Sequence, residues 1–181
     1  LPPFQGTAKL DVMPYDRLGG SSRWGTSWTH QGTLDTRSAR LGPVQLGLNI
    51  NRVSDDNYWK DFPRNNINGA LRLLPADANV AYASGGLTTQ VRTLRWQTLQ
   101  DSSTPITPPY DMVPKVSGQY RWAYPSGLDV QLLGEMTRFQ SNREFLSLTN
   151  DNAQRMVSQV QVAQSWITPY GSVTPKLSLN A

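Results

Sequence analysis

Val44-Gln-Leu-Gly-Leu-Asn-Ile-Asn51 alternates without a break between an aliphatic residue and an amide or glycine. A period of two belongs to an extended chain whose side chains leave on opposite faces. Val44, Leu46, Leu48 and Ile50 therefore share one face, and Gln45, Gly47, Asn49 and Asn51 the other. One face is made for an apolar surrounding and its reverse for one that accepts amides. The division recurs along the chain. Ala8, Leu10 and Val12 alternate with Lys9 and Asp11, and Trp24 and Trp28 oppose Arg23, Gly25, Ser27 and Thr29. Ala78, Val80 and Tyr82 oppose Asp77 and Asn79, while Val116, Tyr120 and Trp122 oppose Lys115, Ser117, Gln119 and Arg121. Leu128, Val130, Leu132 and Met136 oppose Asp129, Gln131 and Glu135. Met156, Val160, Val162 and Trp166 oppose Gln159, Gln161 and Ser165, and Val173, Leu177 and Leu179 oppose Ser172, Lys176 and Ser178. Only 87–99 breaks the rule: its apolar residues change face between Val91 and Leu94, and a bulge there would restore the register.

Turn signals separate these segments. Ser84-Gly-Gly86, Pro125-Ser-Gly127 and Thr168-Pro-Tyr-Gly171 suit tight hairpins. Longer polar stretches near 54–70, 100–111 and 140–152 alternate with them, which sorts short turns to one rim and long loops to the other; 32–42 is long for its rim. The reading is all-β: an antiparallel up-and-down meander of about nine long strands. The one helical candidate, Asn150–Val160, fits strand better because of Val157 and Val160.

Strand length separates a soluble sandwich from a membrane wall. Sandwich strands run about 5–6 residues, whereas a tilted strand crossing a bilayer needs about 9–11. The alternating segments are of the longer kind. Trp96, Tyr110, Trp122, Tyr124, Phe139, Trp166 and Tyr170 gather near strand ends, the girdle positions where amphipathic rings meet headgroups. Lys115, Gln119, Arg121, Asp129, Gln131, Glu135 and Lys176 would be solvated or paired in a water-filled lumen. The chain is expected to form part of a large transmembrane outer-membrane β-barrel, its apolar face in lipid.

Composition removes several chemistries. With no cysteine, disulfides and thiolate metal sites are impossible, and one histidine, His30, excludes a histidine-based metal site within one chain. The net charge of +4 is scattered rather than striped, so nucleic acid is not an expected partner. Asp55, Asp56 and Asp61 lack the alternate-position oxygens and glycine of a calcium loop. His30 has no Gly-x-Ser-x-Gly elbow with it. No catalytic, cofactor-binding or metal-ligating residue is assigned, and no enzyme is expected. Leu1-Pro-Pro-Phe4 lacks the features of a signal peptide, so the chain reads as a mature start or an excised piece.

The most distinctive stretch is the loop after the first-quoted strand. Val53, Ser54, Asp55, Asp56, Tyr58, Trp59, Asp61 and Phe62 are expected to form an ordered rim element. Arg52 or Lys60 would pair with one of its carboxylates, and Tyr58, Trp59 and Phe62 would fold over the pair to exclude water.

Asn51-Arg-Val-Ser-Asp-Asp-Asn-Tyr-Trp-Lys-Asp-Phe62 resembles the Val-Ser-Asp-x-x-aromatic-x-Asp-Phe signature of the LptD family, the lipopolysaccharide-assembly proteins also called organic solvent tolerance proteins. Trp28-Thr-His30, Val113-Pro-Lys-Val-Ser-Gly-Gln-Tyr120, Gly127-Leu-Asp through Phe139 and Thr174-Pro-Lys-Leu177 run in the family's order. The resemblance implies a component of lipopolysaccharide transport in the outer membrane of a Gram-negative bacterium. It implies contact with lipopolysaccharide and outer-membrane lipid, a plug lipoprotein LptE in the lumen, and the periplasmic bridge protein LptA met through an N-terminal jellyroll. Residues 1–181 are then expected to be one internal segment of the barrel wall, without that jellyroll or the barrel's seam, and no lipopolysaccharide-path residue is carried over. Two other readings are a secreted carbohydrate-binding β-sandwich using Trp24, Trp28 or Trp122, and a generic porin-like channel.

Overall fold

A computed structural model describes residues 4–17, 19–35, 42–62, 72–141 and 152–181. The inner parts of the connectors expected near 32–42, 54–70 and 140–152 lie outside those residues. The strands are β1 (Phe4–Asp16), β2 (Ser21–Leu34), β3 (Val44–Val53), β4 (Leu73–Ser84), β5 (Leu87–Thr98), β6 (Asp111–Ala123), β7 (Leu128–Gln140), β8 (Ala153–Gln164), β9 (Trp166–Thr168), β10 (Gly171–Val173) and β11 (Lys176–Asn180). One helical turn, α1 (Tyr58–Asp61), follows β3. Nine strands form one sheet in the order β1-β2-β3-β4-β5-β6-β7-β8-β11, every pair antiparallel. From β1 to β8 each strand bonds to its neighbour in sequence, and β11 follows β8 in the sheet with the β9–β10 hairpin set apart, so the ladders close locally and the fold is a meander.

Residues directly opposite one another in a ladder share a face, so the register shows what each face carries. Ala8, Trp28, Ile50 and Ala76 lie in one row. Val80, Val91, Val116, Met136 and Met156 lie in another, and Val130, Val162 and Leu177 in a third. The apolar face therefore runs unbroken across the sheet. Among the described residues nothing covers it: Val80, Val91, Val116, Leu132, Met136, Met156, Val160 and Val162 are each at least 36% exposed. A continuous uncovered aliphatic surface of this breadth marks an interaction face rather than a solvated one.

On the reverse face cross-strand ion pairs take the place of packing. Arg92 pairs with Asp77 and Arg121 with Asp129. Glu135 receives Lys115 at 2.8 Å from one side and Arg155 at 2.7 Å from the other. The Asn51 amide donates to Asn49 at 2.9 Å along the same face of β3.

Three expectations need correction. First, β5 carries no bulge; its ladder with β4 runs from Leu73↔Thr98 to Ser84↔Leu87 without a shift. The extra residue sits in β6 between Met112 and Lys115, against both β5 and β7. Pro114 occupies that stretch, where its missing N–H costs the ladder nothing. The change of face in 87–99 is real: Leu94 lies on the polar face, opposite Met112, which is opposite Phe139, and only 6% of Leu94 is exposed. Second, that register puts Trp96 and Phe139 on the polar face too, so neither is a lipid-facing girdle residue. Third, Trp166 and Val173 leave the main sheet to form the separate β9–β10 hairpin, and the sheet resumes only at Lys176, after Pro175.

The connectors sort by rim with exceptions. The strand ends that the β1–β2, β3–β4, β5–β6 and β7–β8 connectors join lie at one rim, and those that the β2–β3, β4–β5, β6–β7 and β8–β11 connectors join lie at the other. The turn 17–20 is short although it sits with the long loops. Gly85 and Gly127, at φ 55° and 84°, take the left-handed backbone that the tight turns on the opposite rim require.

The facing predicts an asymmetry within one strand. Leu132→Lys, on the apolar face midway along β7, should destabilise the folded protein in a bilayer by about 2–4 kcal/mol. Gln131→Lys, one residue away on the polar face, should be nearly neutral. Unfolding of the reconstituted protein in urea measures both, and equal effects would overturn the assigned faces.

Candidate functional site

The densest side-chain organisation in the described structure lies at the long-loop rim, where β1, β2 and the turn after β3 converge on Arg23. Three residues into β2, Arg23 falls on the polar register, and only 6% of it remains exposed. A guanidinium cannot shed its charge, so burying it requires acceptors for its fork of donors. Asp55 supplies a bidentate grip: Nε to Oδ2 at 2.9 Å and Nη2 to Oδ1 at 2.8 Å. Nη1 donates to Asp61 at 2.7 Å and to Asp16 at 3.1 Å. One cation thereby ties the end of β1 to both ends of the 54–62 segment.

The segment is shaped to present those carboxylates. The Ser54 N–H donates to the Trp24 carbonyl at 2.8 Å, extending the β2–β3 ladder by one step. The Ser54 hydroxyl donates to Asp55 Oδ2 at 2.6 Å, and the Asn57 N–H to Asp55 Oδ1 at 3.1 Å, so the carboxylate also closes its own turn. α1 then brings Tyr58 and Phe62 together, ring centroids 4.8 Å apart. Both rings flank Arg23, the Phe62 centroid 4.8 Å from its guanidinium carbon and that of Tyr58 5.7 Å. Tyr58 also joins Val53, Leu74 and Leu99 in a small buried cluster, with Trp59 and Phe62 packed on it.

The next loop joins this knot. Lys60 pairs with Asp101 at 2.6 Å, and Lys60 and Arg72 lie 5.5 and 5.9 Å from the Trp59 ring centroid. Arg72 Nε donates to the Leu99 carbonyl at 3.1 Å. Gln97 completes the join: its amide donates to the Val53 carbonyl at 2.8 Å and accepts from the Val53 N–H at 3.0 Å. A side-chain amide thus stands in for a strand neighbour where the end of β3 departs from β4.

The electrostatics follow. Burial pushes the Asp55 carboxyl up, but hydrogen bonds from Arg23 and Ser54 and the charge of Arg23 outweigh it, and the group ends below the ordinary aspartate range. The Lys60 ammonium, with the N–H and hydroxyl of Ser103, likewise holds the half-buried Asp101 carboxyl well below the ordinary aspartate range.

The structure thus gathers Val53, Ser54, Asp55, Tyr58, Trp59, Asp61 and Phe62 into one assembly, and leaves Asp56 exposed at its margin. The guanidinium gripping Asp55 and Asp61 is Arg23's. Arg52, the cation expected to serve, instead donates to the carbonyls of Leu74 and Asn51, at 3.3 and 3.4 Å. Lys60 reaches across to the neighbouring loop. Arg23, Asp16, Gln97 and Asp101 were not singled out from sequence, because nothing local marks them: Arg23 and Asp55 are 32 residues apart, and Gln97 and Val53 are 44.

Comparison with known proteins bears on the same residues. The family described as LPS transport system D, LptD, matches residues 21–181. The chain belongs to the LptD family. It is 49% identical to the LPS-assembly protein LptD of Albidiferax ferrireducens over 183 residues, covering 98% of this chain and 22% of that protein. The proteins of the same name from Polaromonas sp. and Acidovorax sp. are 38% and 39% identical, each match covering 99% of this chain and 22% of the relative. The chain spans about a fifth of the length of these LptD relatives.

Two outcomes follow from the knot. Arg23→Met removes the cation from three carboxylates, of which Asp55 and Asp61 stay partly solvated, so it should cost about 1–3 kcal/mol, the scale of losing hydrogen bonds to charged groups. Asp56→Ala, at an exposed position, should stay within about 0.5 kcal/mol. Urea unfolding of the full-length protein, folded in detergent, compares them. The second outcome concerns acid. Because Asp55 is more acidic folded than unfolded, its contribution is fully present above the unfolded value, about 3.9, and is lost as pH falls through the lower folded value. Stability of the wild type should drop below about pH 4 more steeply than that of Asp55→Asn, a difference read by thermal unfolding between pH 6 and pH 2.5.

Proposed function

We propose that this chain is one segment of the wall of a transmembrane β-barrel in the Gram-negative outer membrane, in a protein that delivers lipopolysaccharide to the cell surface. The observation that carries the reading is the single nine-stranded sheet with an uncovered apolar face and an ion-paired polar face. An apolar face of that extent is stable against lipid chains, and the paired charges of the reverse are stable beside water. Family membership supports the same reading: the relatives are named for LPS assembly. In this reading lipopolysaccharide is the cargo, and the polar face lines the lumen that a plug lipoprotein, LptE, would occupy. LptA would be met through a periplasmic jellyroll elsewhere in the family's proteins. Function here is carriage and assembly, with no group assigned to catalysis.

Within that wall, the Arg23 knot acts in assembly. It clamps the β1–β2 and β3–β4 hairpins at the long-loop rim, which on outer-membrane barrels faces outward, so that neighbouring hairpins enter the membrane in register. A carbohydrate-binding sandwich fits less well. Among the described residues no second sheet packs on either face, and Trp24 and Trp28 stand in the same apolar rows as Val12, Ala8 and Ile50.

The test is a segment exchange. Substituting this sequence for the aligned 22% of the Albidiferax protein should give a chimera that assembles and restores surface lipopolysaccharide in cells depleted of their own LptD. A chimera that assembles normally yet leaves lipopolysaccharide inside would sink the functional reading. Arg23→Met in the chimera should lower the amount of assembled barrel, while leaving transport per assembled barrel unchanged.

A further inference from the structure

The apolar face is not uniform from rim to rim. By register, the strand residues it carries on β5 are Leu87, Thr89, Val91, Thr93 and Arg95, and on β7 Leu128, Val130, Leu132, Gly134, Met136 and Arg138. On β3 the same face ends in Arg52. Among the described strand residues, the cations on this face, Arg52, Arg95 and Arg138, all sit at the long-loop rim. At the opposite rim the corresponding residues are Val44, Ser84, Leu87, Trp122, Leu128 and Gln164, all uncharged. Arg95 and Arg138 are both exposed, and among the described residues neither has a hydrogen-bond or ion-pair partner. Asp111 is the acidic residue at this rim of the face, and it already accepts the Trp96 N–H at 2.8 Å.

Height decides what these guanidiniums meet. From Leu87 to Arg95 the strand rises about 26 Å, or about 20 Å along the membrane normal once the usual strand tilt is allowed for. An outer-membrane barrel presents an apolar band about 25 Å tall. With Leu87 at one border, the Arg95 backbone lies about 5 Å inside the other, a gap that a long arginine side chain spans by snorkelling to the headgroups, and Arg138 is placed to do the same. Only β6 lies between their strands, so they are roughly 10 Å apart across the sheet. A planar guanidinium with free donors at that depth is suited to bidentate phosphate.

We propose that Arg95 and Arg138 form an outward-facing phosphate-recognition pair that binds lipopolysaccharide packed around the barrel at the long-loop rim, separate from the lipopolysaccharide being carried. The proposal rests on the barrel-wall reading, which assigns this face to lipid. The pair would seat the barrel at fixed depth and hold an ordered shell of the same lipid that the protein delivers.

The experiment uses the full-length protein in cells, with the photo-crosslinking residue benzoylphenylalanine replacing Thr93, one step inside Arg95 on the same face, or Gln90 on the polar face. The Thr93 probe should capture lipopolysaccharide. Capture should fall several-fold in the Arg95→Ala/Arg138→Ala background and return only in part in Arg95→Lys/Arg138→Lys, which keeps the charges but not the two-point grip. Capture unaffected by the alanines, or capture of phospholipid in place of lipopolysaccharide, overturns the phosphate pair and leaves the barrel wall intact. Lipid captured from Gln90 and not from Thr93 overturns the facing itself, and the proposal with it.

Discussion

The structure depends first on the backbone ladder. A wall between lipid and a lumen has no water on its outer side to satisfy N–H and C=O groups, so each strand must find its partners in its neighbours. This chain meets that demand in the simplest way, each strand of the nine-stranded sheet pairing with the sheet's next strand along the chain. Side chains are then free to differ completely between the two faces. One holds aliphatic rows that need no specific partner. The other holds charges, and those are matched across strands, as in the Lys115–Glu135–Arg155 relay.

Where the ladder ends, the rim needs another kind of order. Turns over a membrane wall have little core to pack on, so the 54–62 segment makes its own from Val53, Tyr58, Leu74 and Leu99 and fastens it with one buried guanidinium. Removal of charge from water is costly, and Arg23 is tolerable there only because Asp55, Asp61 and Asp16 all accept from it. A lysine could not grip a carboxylate in the same two-point fashion. Gln97 solves the related problem of a strand end without a neighbour, using an amide that both donates and accepts.

Charge on this sheet is placed by depth as well as by face. On the polar side it is distributed along the strands, and most of it is paired across them. On the apolar side, among the described residues, the arginines stand at one rim, which gives the sheet a direction from rim to rim that hydrophobicity alone would not.

The meander, its antiparallel pairing and its two faces were legible in the sequence, because strict alternation fixes the side on which each residue lies once the backbone is extended. Val44–Asn51 needed no structure to be read, and the apparent change of face at Val91–Leu94 was a true record of where Leu94 points. The loop signature was equally visible in Ser54-Asp55 and Tyr58–Phe62. Other features were decided only in three dimensions. Moving the bulge from β5 to Met112–Lys115 of β6 required the ladders on both sides of β6. Placing Trp96 and Phe139 on the polar face required the same register. The partner of Asp55 required knowing that β2 returns beside β3, which puts a cation 32 residues away within 2.8 Å of it. Periodicity is a local property and survives in the sequence; which distant side chains meet is set by strand register, and register exists only between strands.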